Sequence, residues 1–299
     1  MKLQGALLVA SWLALGTAFA QSEETPVQLS GTLQKARSTG AVTIAHRESS
    51  IPFSYLSTRG EPIGYSIELC RKLVEAMGQA VGRELEIKWL PVTSESRIEA
   101  IASGRADLEC GSTTNNLERQ RRVGFSPTIF VSGTKLLVKR GSPIKSFRDL
   151  PGKTVVVTAG TTNEQTLRDL MKKFRLDLRL VVSRDHAESF AQVADGKADA
   201  FATDDVLLYG LIAQKGAREA YEVVGEFLSY DPYGIMYRRG DAQLARLVND
   251  TFQELAEDGE VERQYKRWFM RRLPSGASID LPMSPQLESL VRAMAAKPE

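Results

Sequence analysis

The sequence predicts an α/β protein with two lobes. Short strands alternate with helices along the chain, and this pattern occurs twice, before and after an irregular joint near residues 130–135. Such alternation is typical of α/β units in which helices flank a mostly parallel sheet. The length of 299 residues agrees with this prediction, because an ordinary domain has roughly 100–200 residues.

The first set of elements follows a polar segment at 21–37, which we expect to be loose at first and then helical. Alternating apolar residues predict strands, and apolar residues three or four positions apart predict helices. The predicted elements are strands at 41–46, 84–90 and 106–110, helices at 65–80 and 95–102, and extended segments at 125–130 and 134–138.

The second set begins after Pro151-Gly152. It comprises predicted strands at 154–157, 179–182, 198–203, 221–224 and 233–237, and helices at 162–174, 187–195 and 205–213. Two further helices follow, one with apolar residues from Leu244 to Leu255 at helical spacing and one with them from Val261 to Phe269. The chain from Pro274 is rich in Pro and Ser. We therefore expect a surface tail over 276–299.

The first twenty residues have the features of a secretory signal peptide. Lys2 precedes an apolar run over 6–15, and Ala18-Phe19-Ala20 is a small-x-small cleavage site before Gln21. The apolar run is too short to cross about 30 Å of hydrocarbon. Gln21 stands where a lipid-anchored protein would have a cysteine. We therefore expect the segment 1–20 to be cleaved and the mature chain to lie outside the cytoplasm.

Composition and charge exclude several classes of protein. The chain is 42% apolar and 25% charged, which is ordinary for a globular protein and excludes wholesale disorder. It has 39 basic and 37 acidic residues, so it lacks the basic excess expected of a nucleic-acid-binding protein. Its two cysteines and its two distant histidines, His46 and His186, do not predict a zinc site. We predict no nucleic-acid partner, no metal and no cofactor.

Both cysteines are predicted to point into the core. Cys70 shares a helix face with Leu73 and Met77, and Cys110 ends the strand 106–110. In an oxidising compartment, two such cysteines in one lobe form a disulfide. Two buried free thiols remain the alternative at this point.

The residues that follow the predicted strands point to an anionic ligand. Ligands of parallel α/β sheets bind at the carboxyl ends of the strands. Helix N-termini and arginine side chains bind anions there, and aspartate is suited to an ammonium group. The candidate residues are Arg47, Phe53, Ser94, Arg97, Ser112, Thr114, Arg119, Thr162, His186 and Asp204.

Each of these candidates has a simpler explanation when it is taken alone. The hydroxyl residues suit capped turns, a single arginine suits a surface ion pair, and His186 suits the start of a helix. Phe53 suits core packing as well as an apolar wall beside a ligand. Asp205 suits a helix N-cap, which leaves Asp204 as the better ligand candidate. Their joint occurrence at six strand ends carries the prediction of a ligand with carboxylates and one amine.

Several of these segments resemble a known family. The segments are His46 to Tyr55 (HRESSIPFSY), Gly64 to Ser66, Glu109 to Asn116 (ECGSTTNN) with Glu118 to Gln120, Phe125-Ser126, Val155 to Thr162 (VVVTAGTT), Asp185-His186 and Asp204-Asp205. The chain from about 33 to 273 resembles the periplasmic solute-binding proteins, family 3, of polar amino acid ABC transporters. The likeness is greatest to the glutamate/aspartate-binding branch.

The resemblance implies a type II binding-protein fold. Two lobes are joined by two hinge strands, and they close on a ligand like a clamp. The first lobe would comprise 33–131 and 229–275, with both chain ends, and the second lobe 132–228. A monomer in the periplasm, with L-glutamate or L-aspartate as ligand and a membrane permease as partner, is implied.

The resemblance also implies a role for each candidate residue. Arg119, Thr114 and the helix start at Thr162 would bind the α-carboxylate. Ser112 and Asp204 would bind the α-ammonium. The side-chain carboxylate would contact Arg47, Ser94, Arg97 and His186.

Two other functions compete with ligand delivery. An enzyme on the same fold, such as a dehydratase of cyclic dienyl acids, needs a general acid at the leaving group. The candidate acids Glu48, Glu95 and Asp204 are each better explained as partners of a cation. The other alternative is a free-standing amino-acid sensor, but a ligand sensor usually needs an attached membrane span or signalling domain, and neither is evident in the sequence. We therefore predict a binding protein without enzyme activity.

Overall fold

A computed structural model describes residues 28–296 of the chain. The predicted signal peptide, 1–20, lies outside the described residues. The first part of the predicted polar segment, 21–27, also lies outside them. The helices are α1 (Gly31–Thr39), α2 (Tyr65–Val81), α3 (Arg97–Ala102), α4 (Leu117–Gln120), α5 (Thr162–Phe174), α6 (His186–Ala194), α7 (Asp205–Gln214), α8 (Ala242–Glu257), α9 (Glu260–Tyr265) and α10 (Pro285–Ala295).

Most strands are short. They are β1 (Ala41–His46), β2 (Ser49–Ser50), β3 (Ser54–Leu56), β4 (Pro62–Ile63), β5 (Glu86–Pro91), β6 (Leu108–Glu109), β7 (Val123–Phe125), β8 (Phe130–Ser132), β9 (Thr134–Lys139), β10 (Thr154–Thr158), β11 (Arg179–Ser183), β12 (Ala200–Asp204), β13 (Tyr221–Val224), β14 (Asp231–Tyr233) and β15 (Met236–Arg238).

Two five-stranded sheets form the two lobes. The sheet of the first lobe has the order β5-β1-β6-β15-β7, and that of the second lobe has the order β11-β10-β12-β9-β13. In each sheet the first three strands are parallel, and one strand, β15 or β9, runs against its neighbours. The predicted α/β fold with two mostly parallel sheets is therefore confirmed.

The central strands are buried on both faces by helices. Every residue of β12 is buried, and so are Val155, Val156 and Val157 in β10. In the first lobe, Val42 and Ile44 of β1 pack with the buried face of α2. These apolar cores hold the strand ends, and with them the candidate ligand residues, in fixed positions.

Two strands connect the lobes. Strand β8 leaves the first lobe and pairs antiparallel with β14, which returns from the second, so that Ser132 lies opposite Asp231 and Phe130 opposite Tyr233. The sheet strands β9 to β13 all lie between these two crossings in the chain. For this reason we propose lobe boundaries at 33–131 with 229–275, and at 132–228.

The strand predicted at 233–237 is divided in the structure. Strand β14 ends at Tyr233, and β15 begins at Met236. Between them the Gly234 amide donates to the Thr113 carbonyl at 3.1 Å, and the Ile235 amide donates to the Ser126 hydroxyl at 2.9 Å. The division occurs because the chain here leaves the crossing pair and enters the sheet of the first lobe.

The prediction of a surface tail over 276–299 did not include the helix α10. Leu287 and Val291 of this helix are buried, since its apolar face packs on α8. The Leu281 amide donates to the Phe269 carbonyl at 3.0 Å, and the Tyr265 hydroxyl donates to the Pro282 carbonyl at 3.2 Å. An amphipathic helix follows the polar segment, and its apolar stripe determines where it lies.

The two cysteines are joined. Cys70 of α2 and Cys110, which follows β6, form a disulfide with an S–S distance of 2.04 Å. Both residues are buried. This is the predicted pairing, and it excludes the alternative of two free thiols. Within residues 28–296, no helix is both long and apolar enough to cross a bilayer.

Candidate functional site

The carboxyl ends of the two sheets face each other across a closed cleft. The hydroxyls of Thr114 and Thr162 are 3.2 Å apart, and the Arg119 guanidinium donates to the Gly160 carbonyl at 3.3 Å. Gly160 has a φ of +70°, and a Cβ there would lie 2.6 Å from the Glu95 Cα. The first and second lobes therefore contact each other through the segments in which the candidate residues lie.

Two arginines and two serines of the first lobe form one end of the site. Arg47 follows β1, Arg97 begins α3, and Ser94 and Ser112 lie in the loops after β5 and β6. All four are buried. Both terminal nitrogens of Arg47, the Arg97 Nε and both serine hydroxyls have no hydrogen-bond partner among the described residues. These five polar atoms form a group suited to carboxylate oxygens.

Burial makes the charge of these arginines costly. Burial first, and then the nearby charge of Arg97, lower the pKa of Arg47 to about 9. Burial likewise lowers the pKa of Arg97. Arg97 also donates to the Ser112 carbonyl at 3.3 Å, which is a neutral acceptor. No carboxylate of residues 28–296 forms an ion pair with either guanidinium. An anion in contact with both would offset this cost.

Glu109 is a negative charge behind this pair, and it is not among the candidate residues predicted from the sequence. The residue is completely buried, and its carboxylate accepts from the Thr113 hydroxyl at 2.7 Å. Its charge raises the pKa of both Arg47 and Arg97. The sequence does contain a signal for it, which is a charged residue inside the predicted buried strand 106–110.

Arg119 lies at the opposite end of the site. Its backbone amide donates to the Asn116 side chain that caps α4, at 2.9 Å. Its guanidinium donates to the Thr114 carbonyl at 2.9 Å and to the Gly160 carbonyl of the second lobe. Burial lowers the pKa of Arg119 to about 10. This cation therefore lies in the seam between the lobes.

Thr114 and Thr162 lie near Arg119, but their hydroxyls have another partner. Both donate to one oxygen of Asp231, at 3.1 Å and 2.8 Å respectively. Asp231 is a buried residue of β14 and is not among the candidates predicted from the sequence. Nothing in its local sequence distinguishes it, since it lies between Tyr230 and a proline in a predicted loop.

Asp204 ends β12 and faces two polar groups. Its carboxylate accepts from the Asn163 amide at 2.8 Å and from the Tyr233 hydroxyl. Burial, followed by the charge of Asp231, raises the pKa of Asp204 to about 8. Burial also raises the pKa of the Tyr233 phenol well above its usual range. Within residues 28–296 the acid thus has hydrogen-bond donors but forms no ion pair, which suits it to a ligand ammonium.

His186 is the first residue of α6, and Asp185 caps this helix. Its Nδ1 is 2.9 Å from the Thr158 hydroxyl, which is 2.8 Å from the Ser189 hydroxyl, and Ser189 donates to the Asp185 carbonyl. Because that carbonyl only accepts, all three bonds form together only if Nδ1 carries the proton. Burial, with Arg47 and Arg97, lowers the pKa of His186 well below its usual value.

Phe53 belongs to an aromatic cluster behind the site. Its ring packs edge-to-face on Tyr65, Phe130, Tyr233 and Phe269, with centroid distances of 5.0–6.1 Å. This is the core packing that the sequence allowed as one of two alternatives. Through the contact with Tyr233 it supports the partner of Asp204. Its role as a wall for the ligand stays a prediction.

The arrangement suits a small zwitterion in chemical terms. Unpartnered donors lie at one end, a cation and a helix N-terminus at the other, and an acid between the lobes. Among the described side chains, no group of three His, Cys, Asp or Glu is placed to hold a metal ion. The three arginines and Asp204 thus each have a chemical counterpart in an amino acid with an extra carboxylate.

Comparison with known proteins identifies the family. Residues 42–271 match the family of bacterial extracellular solute-binding proteins, family 3. The chain is 43% identical to the L-glutamate/L-aspartate-binding protein of Pseudomonas aeruginosa, with 88% of each chain covered. It is 38% identical to the glutamate/aspartate import solute-binding protein of Escherichia coli, over 94% of this chain and 93% of that protein.

Solved structures give the same result. An ancestral arginine-binding protein bound to arginine has a TM-score of 0.70 and 28% identity, and the match covers 77% of this chain and 98% of that chain. An ancestral amino acid-binding protein, a precursor of cyclohexadienyl dehydratase, has a TM-score of 0.69 and 29% identity over 80% and 99% of the two chains. From its sequence and its fold, the chain belongs to family 3 of the bacterial extracellular solute-binding proteins.

Proposed function

We propose that this protein captures L-glutamate and/or L-aspartate in the periplasm and delivers it to the permease of an ABC importer. The names of the relatives from Pseudomonas aeruginosa and Escherichia coli support this ligand class. One structural observation carries it. The buried group around Arg47 and Arg97 has five polar atoms without a partner among residues 28–296, and a second carboxylate on the ligand supplies the acceptors.

The two ends of the site divide the ligand between them. In this proposal the side-chain carboxylate contacts Arg47, Arg97 and Ser94, and the α-carboxylate contacts Arg119 with the N-terminus of α5. The α-ammonium contacts Asp204 and Ser112. An amide ligand is disfavoured, because its NH₂ group would point donors at donors.

His186 has a conditional role in this proposal. Its hydrogen-bond chain leaves Nε2 without a proton in the neutral ring. A donor bond from Nε2 to a ligand carboxylate therefore needs a second proton on the ring. The carboxylate favours that proton by opposing the repulsion from Arg47 and Arg97.

We also propose that the protein is a carrier and not an enzyme, although one fold relative is a precursor of a dehydratase. An elimination reaction needs an acid that is free to protonate a leaving group. Glu48 and Glu95 are exposed, and Asp204 is bonded to Asn163 and Tyr233. These placements support ligand binding over catalysis.

A thermal and chemical unfolding screen with the twenty amino acids tests the proposal. At 100 times its Kd, a ligand that binds only the native state stabilises it by about 2.7 kcal/mol. We expect this effect from L-glutamate or L-aspartate at concentrations where L-glutamine and L-asparagine have none. Equal stabilisation by the amides, or by arginine, would contradict the assignment. Uptake of labelled glutamate by cells with and without the gene then tests delivery.

A further inference from the structure

Asp231 joins side chains from both lobes. It lies on the crossing strand β14 and is 1% exposed. One of its carboxylate oxygens accepts from the Thr162 hydroxyl at 2.8 Å and from the Thr114 hydroxyl at 3.1 Å. Thr114 follows β6 of the first lobe, and Thr162 begins α5 of the second. The pair of bonds therefore exists only when the two lobes are close together.

The other carboxylate oxygen holds Asp231 in position. It accepts from the Ser229 hydroxyl, which is 2.7 Å from the hydroxyl of Thr134. Thr134 in turn accepts from the Asn163 amide at 2.7 Å. These partners lie at the start of β9, at the start of α5 and in the loop before β14. These bonds hold Asp231 at the hinge independently of its bonds across the cleft.

Charge makes these bonds stronger than ordinary hydroxyl contacts. Hydrogen bonds to a carboxylate are about twice as strong as those between neutral groups. Arg119 lies in the same seam, and the negative charge of Asp231 raises its pKa. The guanidinium also spans the lobes, since it donates to the carbonyls of Thr114 and Gly160. One anion and one cation thus join the same two edges of the cleft.

We propose that Asp231 is an internal latch that stabilises the closed arrangement of the lobes without a ligand. Its carboxylate holds the Thr114 and Thr162 hydroxyls in the place of a ligand carboxylate. Under the proposed function, on which this second step rests, the α-carboxylate of an incoming amino acid takes over those hydroxyls from Asp231. The latch then determines the closed fraction of the ligand-free protein and the rate at which ligand binds.

A purely structural role is the alternative. Asp231 would then serve as a buried acceptor whose loss weakens the whole fold without changing the lobe equilibrium. Asp241 provides a matched control, because it is a buried aspartate that caps α8 and accepts from the Thr32 and Leu244 amides, away from the cleft. Asp241→Ala should lower stability and leave the lobe distance unchanged.

Distance measurement between spin labels tests the latch on the ligand-free full chain. Labelled unnatural side chains at Leu117 of the first lobe and Lys172 of the second, both exposed, report closure. We expect a short-distance population in the wild type. Loss of two bonds to a charged acceptor should lower the closed-to-open ratio about tenfold or more in Asp231→Ala, and less in Asp231→Asn.

Two results would overturn the latch. One is a ligand-free wild type without a short-distance population. The other is the same distance distribution in the wild type and in Asp231→Ala. If circular dichroism shows that Asp231→Ala does not fold, Asp231→Asn and Thr162→Val give the same comparison. Addition of L-glutamate to the variant is a separate test. If it does not restore the short-distance population, the proposed ligand is contradicted, and the ligand-free result is unaffected.

Discussion

The Tyr233 hydroxyl donates to the Asp204 carboxylate and so joins the crossing strand β14 to the sheet of the second lobe. Both side chains are buried, and the Tyr233 ring packs on Phe53 at 5.1 Å. The acid receives two hydrogen bonds but forms no ion pair with any described side chain. Burial therefore dominates and raises the pKa of Asp204 to about 8. This shift favours the protonated form of the acid near neutral pH, whereas a ligand ammonium beside it favours the ionised form.

Asp204 should make the ligand-free protein less stable as pH rises. The unfolded carboxyl ionises near pH 3.9, whereas the folded one has a pKa of about 8. Between these values the folded state binds more protons, so the free energy of unfolding falls with rising pH and levels off above pH 8. Asp204→Asn mimics the neutral acid and lacks this loss. Urea unfolding of both proteins at pH 5, 6.5 and 8 measures the difference.

The free energy of unfolding of Asp204→Asn, relative to that of the wild type, should increase over this pH range and then stay constant. Asp195→Asn, at an exposed position on the second lobe, controls for the change of an aspartate as such. A stability difference between Asp204→Asn and the wild type that does not vary between pH 5 and pH 8 would show that Asp204 is ionised in the ligand-free fold.

Arg97→Met should weaken acidic ligands and reduce the preference for them over amides. The change removes a buried donor to the proposed side-chain carboxylate, and truncation of one partner of such a pair typically costs about 2–5 kcal/mol. We expect the Kd for L-glutamate to rise about a hundredfold and that for L-glutamine to change little. Isothermal titration calorimetry with both ligands checks this.

Arg119→Met should instead weaken all amino acids alike, because its proposed partner is the α-carboxylate that they share. Arg122→Met is a matched control, since Arg122 is exposed and pairs with Glu99 outside the site. If Arg97→Met retains the full preference for L-glutamate over L-glutamine, Arg97 does not bind the side-chain carboxylate of the ligand.

Removal of the disulfide should lower stability without abolishing the fold. The bond closes a loop of 40 residues, for which the chain-entropy relation gives about 4 kcal/mol. We expect Cys70→Ala/Cys110→Ala to unfold at a correspondingly lower urea concentration than the oxidised wild type. The wild type treated with reductant serves as the control and should behave like the double variant. Two free thiols in the purified, unreduced protein would contradict the assignment of the bond.

Leu287→Ala should destabilise the protein although the residue lies beyond the region 42–271 that matches the family. Leu287 is 2% exposed and packs between α10 and the core, and truncation of a buried leucine costs about 2–5 kcal/mol. Ser289→Ala, on the exposed side of the same helix, should change the stability by less than about 0.5 kcal/mol. Equal effects of the two substitutions would mean that α10 does not pack on α8 in solution.

The sequence by itself determined the order of strands and helices and the chemical character of the strand ends. In parallel α/β units the carboxyl ends of neighbouring strands meet at one edge. The residues after the neighbouring strands β1 and β6, among them Arg47 and Ser112, therefore had to lie together. Helix α5 begins at Thr162 as predicted, since the local signals of a capped turn and apolar spacing suffice there.

Only the tertiary structure decided which of these polar groups have partners. The bonds of Asp231 join it to residues 117 and 69 positions away in the chain, and no local pattern encodes such a contact. The same holds for Tyr233 beside Asp204 and for the burial of α10 on α8. Local periodicity shows which face of a helix or strand is apolar. The packing of distant segments decides which residues that face and the nearby polar side chains contact.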